Sequence, residues 1–548
     1  MINFLQQKNT FLICAIILLT SISASGQIKF KDVTKSAGLI EPLKGMKGHG
    51  AAWGDVTGNG YPDLFFGNFS DRSDEHYAER GHPAKPEPDK LFLNKGDGTF
   101  EEVMESPIRQ YGRNSGAVFA DFDNDGDLDL VVSHNSYSSE EQTRENVISK
   151  TGNFLFENDG NGSFADVTEK SGLNFGWPFT GRSTFVFDYN GDGLLDLFMQ
   201  EDYVLDSTSG GNSRLMKNIG NMIFIDVTEE AGFPHGFRNG LYGLGGFVGD
   251  INGDLWPDVF FAHSCRMFIN QKDGTFREKE YNLVPQQYTL SGTRASGYWT
   301  CAADLGDLDN DGDMDIVMGQ HFPIGDTVSR KLFIFLNEGN DQEGNPILRE
   351  ISNDAGVMPP TYRNPQIQIQ DMDNDGMNDI VVSSCSALVY RNVGVKDGIP
   401  KFDQPVGSGF EGAQGYWASG PLGDYDRDGR LDFFGPEWFP SHPSPLLRNV
   451  TSGAKKYLAV KLELAEHSNR NGIDARVELY SPDKLGINDE LIGTQLITIS
   501  NGYSSGTEAI AYFGLPNHKK VDIRVTMPCG GTVFTATSVK RNQIYVFK

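Results

Sequence analysis

Short apolar segments alternate with acidic loops and glycine turns along most of the chain. In one stretch, the apolar run Ala117 to Ala120 enters an acidic loop and the run Leu130 to Ser133 leaves it. A Leu-Phe-x-Asn segment at 155–158 and an F-x-D-V-T segment at 164–168 follow. Apolar runs of this length, bounded by Gly and Asn, are typical of strands joined by tight turns. The pattern predicts four short antiparallel strands in each such unit.

The unit recurs, because its acidic loop is found seven times at intervals of 53 to 67 residues. The loops begin at Asp55, Asp121, Asp188, Asp250, Asp307, Asp371 and Asp424. A unit repeated at nearly even spacing indicates a repeat architecture. Seven four-stranded sheets arranged radially form a seven-bladed β-propeller. The apolar strands that leave the loops suit blades covered on both faces by their neighbours.

The two ends of the repeat region predict how the ring closes. An unpaired fourth-strand segment at 30–34 precedes the first unit, whereas the seventh unit ends at 446–449 without a fourth strand. We expect the N-terminal segment to pair with the last blade, which would leave no open sheet edge.

After Asn449 the repeats stop and a separate β-rich region begins. Alternating apolar and polar residues predict strands there at 457–462, 475–480, 521–525 and 543–547. The fold class is therefore predicted to be all-β, with a seven-bladed propeller and a small C-terminal β-sandwich or barrel. The predicted organisation is a signal peptide at 1–26, the propeller at 27–450 and the C-terminal domain at 451–548.

Each acidic loop carries oxygen side chains at positions 1, 3, 5 and 9, and all but one carry Gly at position 6. Hard cations such as Ca²⁺ take six to eight oxygen ligands, and a Gly permits the sharp turn around the ion. The predicted calcium ligands are Asp55, Thr57, Asn59 and Asp63 in loop 1; Asp121, Asp123, Asp125 and Asp129 in loop 2; Asp188, Asn190, Asp192 and Asp196 in loop 3; Asp250, Asn252, Asp254 and Asp258 in loop 4; Asp307, Asp309, Asp311 and Asp315 in loop 5; Asp371, Asp373, Asp375 and Asp379 in loop 6; and Asp424, Asp426, Asp428 and Asp432 in loop 7.

Two loops depart from the pattern. Loop 1 has only two charged ligands, so we expect weaker binding there, and loop 4 has Leu255 where the Gly would stand. The motif itself could also be an EF-hand, but an EF-hand would need a bidentate Glu at position 12, which no loop has. Asp-Gly turns that cap hairpins without any metal remain an alternative. If calcium binds, several structural ions are expected.

The charge of the chain is consistent with calcium binding. The formal net charge is −27, and 26 of the 74 acidic residues lie in the seven loops. Metal sites therefore explain the acidity better than a cationic partner does. Nucleic acid is not expected as a partner, because phosphate binding needs a basic surface.

The N-terminus predicts export. Lys8, an apolar run at 11–19 and small residues up to Gly26 indicate a secretory signal peptide, with an uncleaved signal anchor as the alternative. No other segment is long and apolar enough to span a bilayer, so the mature chain is expected to be secreted, periplasmic or at the cell surface. The remaining cysteines, in disulfides or as free thiols, are Cys265, Cys301, Cys385 and Cys529.

The ends of the blades opposite the loops collect polar and aromatic residues. They come from the end of each second strand and the start of each first strand, which lie together in an antiparallel hairpin. These candidate ligand-binding residues are His49, Arg113, His134, Arg182, Glu201, Arg238, His263, Trp299, Gln320, His321, Arg363, Trp417 and Glu437. Strand ends can also be polar simply because they meet water, and this alternative stays open.

The loops with their flanking strands, as in Val118 to Gly126, resemble FG-GAP/VCBS repeats, which are also found in the integrin alpha head. The segments 469–477, 502–505 and 512–515 resemble the ASPIC/UnbV domain. The combination is similar to the cartilage acidic protein family, although Met527 stands where that family usually has an aromatic before Pro. The resemblance implies a secreted, calcium-binding, adhesion-type protein.

Three functions are compatible with the sequence. The first is an adhesion module that binds an extracellular protein or glycan on the face opposite the calcium loops. The second is a polysaccharide-active enzyme that uses His and carboxylates of that face. The third is a purely structural module, which a flat or plugged central funnel would favour.

Overall fold

The computed structural model describes residues 28–70, 87–136, 153–175, 179–201, 212–235, 241, 243–281, 283, 299–321, 332–358, 366–383, 387–407, 417, 419–466, 469–503 and 505–548.

Seven four-stranded antiparallel arrays, here called blades 1 to 7, make up the repeat region of the described chain. The chain begins with β1 (Phe30–Asp32). Blade 1 contains β2 (Gly48–Gly54), β3 (Asp63–Asn68), β4 (Lys90–Asn94) and β5 (Phe100–Glu102). Blade 2 contains β6 (Asn114–Ala120), β7 (Asp129–Ser136), β8 (Asn153–Asn158) and β9 (Phe164–Asp166). Blade 3 follows the one-turn helix α1 (Thr168–Ser171) and contains β10 (Phe179–Phe187), β11 (Asp196–Glu201), β12 (Arg214–Asn218) and β13 (Phe224–Asp226).

The remaining blades repeat the same order of strands. Blade 4 contains β14 (Gly246–Gly249), β15 (Asp258–Phe261), β16 (Arg266–Asn270) and β17 (Phe276–Glu280). Blade 5 contains β18 (Trp299–Gly306), β19 (Asp315–His321), β20 (Phe333–Asn340) and β21 (Pro346–Glu350). Blade 6 contains β22 (Gln366–Gln370), β23 (Asp379–Ser383), β24 (Ala387–Tyr390) and β27 (Val406–Gly407), with a hairpin of β25 (Asn392–Lys396) and β26 (Ile399–Phe402) before its last strand. Blade 7 contains β28 (Leu422–Gly423), β29 (Asp432–Phe434) and β30 (Leu446–Asn449), and β1 is its fourth strand.

The blades are arranged in a ring. The first strands contact one another in the order β2, β6, β10, β14, β18 and β22. Blade 7 meets blade 1 where the Trp53 Nε1 donates to the Pro421 carbonyl at 3.2 Å. The predicted closure is confirmed, because β1 pairs antiparallel with β30 and places Phe30 opposite Asn449. The all-β prediction is also confirmed.

An asparagine in or just after each third strand joins its blade to the preceding one. Asn218 of blade 3 is a buried example. Its side-chain amide donates to the Phe122 carbonyl of loop 2 at 2.8 Å and to the Leu195 carbonyl of its own loop at 3.2 Å. The same bridge recurs at Asn94, Asn158, Asn270, Asn337, Asn392 and Asn449. Because Asn94 of blade 1 reaches Tyr425 of blade 7, these bonds run around the complete ring.

Replacing one of these bridges is expected to destabilise the ring. Asn218→Ala removes the hydrogen bonds that the Asn218 amide donates to the carbonyls of Phe122 and Leu195. The loss should lower the free energy of unfolding by about 2–4 kcal/mol. The control Asn161→Ala removes an exposed turn side chain and should change stability by less than about 0.5 kcal/mol. Thermal unfolding of both variants in calcium measures the difference, and equal melting temperatures would contradict the bridging role.

The C-terminal strands form two further sheets. One sheet has the order β35-β31-β38, and the other has the order β33-β32-β36-β37. Their bounds are β31 (Tyr457–Leu462), β32 (Arg476–Tyr480), β33 (Leu491–Leu496), β35 (Ile510–Gly514), β36 (Lys520–Thr526), β37 (Val533–Lys540) and β38 (Gln543–Phe547), and β34 (Ser505–Gly506) lies outside both sheets. Leu458, Val477 and Ile523 belong to one apolar cluster that both sheets share. That cluster continues into blades 2 and 3 through Val118 and Leu197.

The C-terminal domain lies on the end of the ring that carries the acidic loops, which we call the loop face. Arg470 donates to the Asn124 carbonyl of loop 2 at 3.1 Å, and the Cys529 amide donates to the Leu255 carbonyl of loop 4 at 2.6 Å. On the other side of the ring, Arg427 of loop 7 forms an ion pair with Glu508 at 2.6 Å. The acidic loops therefore line the interface between the two domains.

A short segment of the C-terminal domain, residues 500–503 and 505–506, fills the centre of the ring, and we call it the plug. The Ser500 hydroxyl accepts a bond from the Val186 amide at 2.9 Å, and the backbones of Gly502 and Gly246 exchange two bonds. At its far end Ser505 and Gly506 pair in parallel with β2.

The plug touches the first strands of the other blades as well. Asn501 donates to Asp304 of blade 5 at 3.1 Å, and the Tyr503 amide donates to Gln366 of blade 6. Gly502 has a φ of +88°, and a side chain there would meet Gln366. A glycine is therefore favoured at this point of the plug, because it adopts this φ without strain.

Candidate metal sites and the opposite face

The acidic loops share one backbone geometry. In loop 2 the Gly126 amide donates to the Asp121 carboxylate at 3.0 Å, so the position-6 amide closes the turn onto the position-1 side chain. The same bond forms in loop 4, where Leu255 donates to Asp250 at 2.8 Å. Leu255 adopts a φ of +71° to do so, a conformation that costs a non-glycine residue energy. The missing glycine therefore does not change the path of loop 4.

The position-9 carboxylate ties each loop to the sheet behind it. In loop 2, Asp129 accepts from the Phe122 amide at 3.1 Å and from the Asn158 amide at 3.0 Å. Asp129 is 2% exposed, and such buried backbone bonds hold its carboxylate in one orientation. A ligand fixed in this way needs little reorganisation when an ion binds.

Four loops bring three acidic side chains together. In each group one ligand atom from every residue lies within 4.8 Å of the others. The groups are Asp121, Asp123 and Asp129; Asp307, Asp309 and Asp311; Asp371, Asp373 and Asp379; and Asp424, Asp426 and Asp432. These clusters could hold metal ions, and they belong to the four loops with a complete set of predicted aspartates.

Several oxygens of the acidic loops are buried but have no hydrogen-bond partner within the described chain. They are one carboxylate oxygen each of Asp121, Asp307, Asp309, Asp373, Asp426 and Asp432, together with the Thr57 hydroxyl. A buried carboxylate oxygen without a partner is costly, because burial removes its bonds to water. Oxygen is the donor atom that calcium prefers, so the residues fit a hard divalent cation.

The electrostatics of the loops point the same way. Burial, followed by the charges of Asp125 and Asp123, raises the pKa of Asp121 to about 7. Burial, followed by Asp311 and Asp309, raises the pKa of Asp307 to about 8. A bound cation would offset both causes, because it replaces lost water and neutralises the neighbouring charges.

Arginines accompany two of the four clusters. Arg391 forms ion pairs with Asp373 and Asp375 of loop 6, and Arg448 lies 2.6 Å from Asp426 of loop 7. Both arginines stand directly before the bridging asparagine of the third strand. No arginine ion pair reaches the carboxylates of loop 2 or loop 5 among the described residues. These two loops therefore offer the clearest tests of metal binding, and loop 5 is used for the variants proposed below.

The other three loops are less acidic. Among the described residues, none of loops 1, 3 and 4 brings three acidic ligand atoms together, since position 3 is Thr57, Asn190 or Asn252. Loops 1 and 2 border a cavity of about 300 Å³ that Lys461 and Arg470 also line. The predicted ligands of loops 1, 3 and 4 also lie on the loop face.

The predicted ligand-binding residues lie at the opposite end of the blades, which we call the opposite face. Strand register brings some of them together in pairs. Trp417 is opposite Glu437. Glu201 is opposite Gly181, the residue before Arg182. The Trp417 ring nitrogen donates to the Glu437 carboxylate at 3.1 Å. The backbone of Trp299 pairs with that of His321.

Most of these side chains are buried. The buried ones are His49, His134, Arg182, Glu201, His263, Gln320, Trp417 and Glu437, whereas Arg113 is half-buried. His134 lies 3.4 Å from Asp89 in the interior of the blade, so its imidazole is not open to a substrate in this conformation. Because the plug also fills the centre of the ring, a ligand would have to bind around the channel. A binding role for these residues stays a prediction.

Some of the predicted residues lie outside the described chain. They are Arg238, Arg363, Cys385 and the predicted signal peptide. Among the other cysteines of the mature chain, Cys265 and Cys529 are free thiols, and Cys301 is buried.

One surface on the opposite face was predicted only in part from the sequence, because Arg113 was a candidate but Lys47, Phe69 and Trp438 were not. Trp438 packs edge-on against Phe69 at 5.0 Å, and the Lys47 ammonium lies 4.2 Å above the Trp438 ring. Arg113 lies 4.8 Å above the Phe69 ring. His49 stacks on Phe69 and bonds to the hydroxyl of plug residue Tyr503 at 2.7 Å. We call the group of Lys47, Phe69, Arg113 and Trp438 the rim cluster. The sequence gives little indication of the rim cluster, except that Trp438 directly follows the predicted ligand-binding residue Glu437.

Comparison with known protein families identifies the two parts of the chain. The FG-GAP-like repeat family matches residues 71–132, 146–199 and 250–318, and the ASPIC and UnbV family matches residues 465–548. The chain therefore carries FG-GAP-like repeats. It also carries a C-terminal ASPIC and UnbV domain.

The chain is similar to part of several larger proteins. It is 27% identical over 248 residues to cartilage acidic protein 1 of Xenopus tropicalis, covering 44% of this chain and 32% of that protein. It is 26% identical over 245 residues to integrin alpha-V of Gallus gallus, covering 41% of this chain and 22% of that protein. The chain thus spans a third or less of the length of these relatives.

Solved structures share its shape only weakly. The rhamnogalacturonan lyase PL11 of Bacillus licheniformis superposes with a TM-score of 0.40 at 14% identity, covering 77% of this chain and 75% of that one. A likeness at this level says nothing about activity. Within the described residues, no helix has the length and apolar character needed to cross a membrane.

Proposed function

We propose that the protein is an exported binding module whose propeller is stabilised by calcium and whose ligand, a glycan or a protein, binds on the opposite face. One observation carries the calcium part: buried carboxylate oxygens in loops 2, 5, 6 and 7 accept no hydrogen bond within the described chain. Export suits this role, because extracellular calcium is abundant enough to fill even weak sites.

The rim cluster supports a ligand site on the opposite face. Trp438 is half-buried, and the following Phe439 is 38% exposed. Aromatic rings next to cationic side chains are typical of recognition surfaces, since the rings supply apolar contact and the cations supply orientation. Lys47 and Arg113 add positive charge to an otherwise acidic protein. The surface therefore suits a ligand with an apolar face and a negative group.

The loop face is a poor candidate for ligand binding. The C-terminal domain covers it through contacts to loops 2, 4 and 7. A large ligand could reach those loops only if the two domains separated. The loops therefore suit structural ions, and the opposite face suits recognition.

Binding assays with Trp438→Ala test the proposed site. The full-length protein is first screened in calcium against immobilised glycans and extracellular matrix proteins. Removal of the half-buried ring should weaken binding of a true ligand at least about tenfold, as truncation of a central aromatic commonly does. The matched control is Val533→Ala, an exposed apolar side chain of the C-terminal domain, and it should bind as the wild type does. A ligand that binds both variants equally well would contradict the assignment of the rim cluster.

A further inference from the structure

Asp474 of the C-terminal domain is a buried acid whose carboxyl group forms no hydrogen bond with the described residues. It is 4% exposed, and neither of its carboxylate oxygens has a partner within that part of the chain. The same domain shows how it satisfies an ordinary buried acid: Asp522, 1% exposed, accepts from the amides of Asp483 at 2.7 Å and Ser538 at 2.8 Å. A buried carboxyl group without any donor or acceptor is unfavourable whether it is charged or neutral.

The backbone holds Asp474 firmly in this position. Its amide donates to the Ile497 carbonyl at 2.8 Å. The residue before Asp474 is Ile473, and its backbone forms two hydrogen bonds of 2.8 Å with the side chain of Asn469. Asp474 also adopts a φ of +66°, which an L-residue takes only when its surroundings impose it. The fold therefore holds the backbone of Asp474 in one conformation.

Asp474 lies near loop 3, because the preceding residue Ile473 lines one cavity, and shares one apolar cluster, with Leu195 of that loop. The charges that act on Asp474 are those of Asp188 in loop 3 and Asp250 in loop 4, and both are negative. Cys529 lies beside them and touches both loops, because its thiol approaches the Asp188 carbonyl at 3.6 Å and its amide donates to the Leu255 carbonyl at 2.6 Å. The C-terminal domain thus inserts at the junction of these two loops.

The cation nearest in sequence is directed elsewhere. Arg476 donates to the Gly312 carbonyl of loop 5 and lies 3.7 Å from Glu478. It forms no ion pair with Asp474 among the described residues. Within that part of the chain, no side-chain cation is therefore paired to Asp474, and the loop charges that act on it are negative.

Loops 3 and 4 are also the two loops with Asn at position 3, at Asn190 and Asn252. The four complete loops have an aspartate there. An extra carboxylate from another domain would restore the negative charge that these two loops lack. Binding of a divalent ion depends on the number of charged ligands, so this charge matters.

We propose that Asp474 is a ligand, supplied by the C-terminal domain, to a divalent cation bound where loops 3 and 4 meet. The ion would join the propeller to the C-terminal domain, so calcium would control docking of the domain as well as the stability of single loops. This inference rests on the proposed calcium binding and adds a residue outside the repeats to it.

Asp474→Asn tests the proposal in the full-length protein, since it keeps the shape of the side chain and removes its charge. In excess calcium the variant should melt about 2 °C below the wild type, because a charged ligand is lost. In calcium-free buffer it should melt at the same temperature or higher, because an unpaired charge is removed. The control Asp522→Asn should lower the melting temperature in both conditions alike.

The outcomes separate the two proposals. If calcium does not stabilise the wild type, calcium binding by the loops is wrong as well. If calcium stabilises the wild type but the effect of Asp474→Asn is the same with and without calcium, only the role of Asp474 is wrong.

A crystal structure of the wild type in calcium gives a second, independent measurement. An ion within about 2.6 Å of an Asp474 carboxylate oxygen is expected. A structure with ions in other loops but none at Asp474 would overturn the proposal even if the variant does not fold.

Discussion

Removal of calcium is expected to lower the melting temperature of the protein by at least about 10 °C. The four complete loops each bury carboxylates that repel one another, and a bound ion offsets that repulsion. At an ion concentration one hundred times the dissociation constant, one site contributes about 2.7 kcal/mol, so four sites contribute roughly 11 kcal/mol. The measurement is thermal unfolding of protein stripped of metal, with and without added calcium.

A pair of loop 5 variants locates the effect. Asp309→Asn removes a carboxylate of the cluster, and it should reduce the gain from calcium by about 2–3 °C, the share of one site in four. Asp313→Asn removes an acid of the same loop that is outside the predicted ligand set, and it should leave that gain unchanged. Identical melting temperatures with and without calcium would show that the loops are hairpin turns without metal.

Acidification is expected to stabilise the metal-free protein and to destabilise the calcium-bound one. Burial is the main cause that raises the pKa of five loop carboxyls to between about 7 and about 8. They are Asp63, Asp121, Asp129, Asp307 and Asp424. Since these pKa values lie above the value of 3.8 expected in the unfolded chain, the folded metal-free protein binds more protons than the unfolded chain between about pH 4 and 8.

The sign follows from this difference in proton binding. Stability of the metal-free protein is retained at low pH and lost as the pH rises through the folded pKa values, so its melting temperature should rise by at least about 5 °C from pH 8 to pH 5.5. Calcium needs the deprotonated carboxylates, so protons displace the ion and the calcium-bound protein should lose stability over the same range. Melting curves of protein stripped on a chelating resin avoid the pH dependence of a soluble chelator. Parallel trends in both series would contradict the prediction.

The local features of this protein could be predicted from its sequence. The spacing of the aspartates in a loop such as Asp121 to Asp129 determines both a turn and a cluster, because the side chains of alternate residues point inward. Apolar runs such as 130–133 predict the strands on either side. Even the closure of the ring was predictable, since the fourth strand missing at one end is present at the other.

Contacts between distant segments could not be predicted. The plug segment is polar and glycine-rich, which is typical of a surface loop, yet Ser500 and Tyr503 meet blades that are hundreds of residues away in sequence. The bridging asparagines were recognised as a motif, but their partners lie in the preceding blade. Asp474 stands in a segment with no acidic repeat, so only the folded chain shows that it is buried without a hydrogen-bond partner among the described residues.

The position of the first strand has a consequence for the order of assembly. Since β1 completes blade 7, residue 30 must remain available until residue 449 has been synthesised, and the plug follows about fifty residues later. Early blades can fold locally, but the first strands of the blades can bind the plug only when nearly the whole polypeptide has been synthesised. A chain released before that point would be an open ring with two unpaired strand edges. Such edges can pair with other chains, so aggregation of the incomplete chain is a risk that the folded protein does not have.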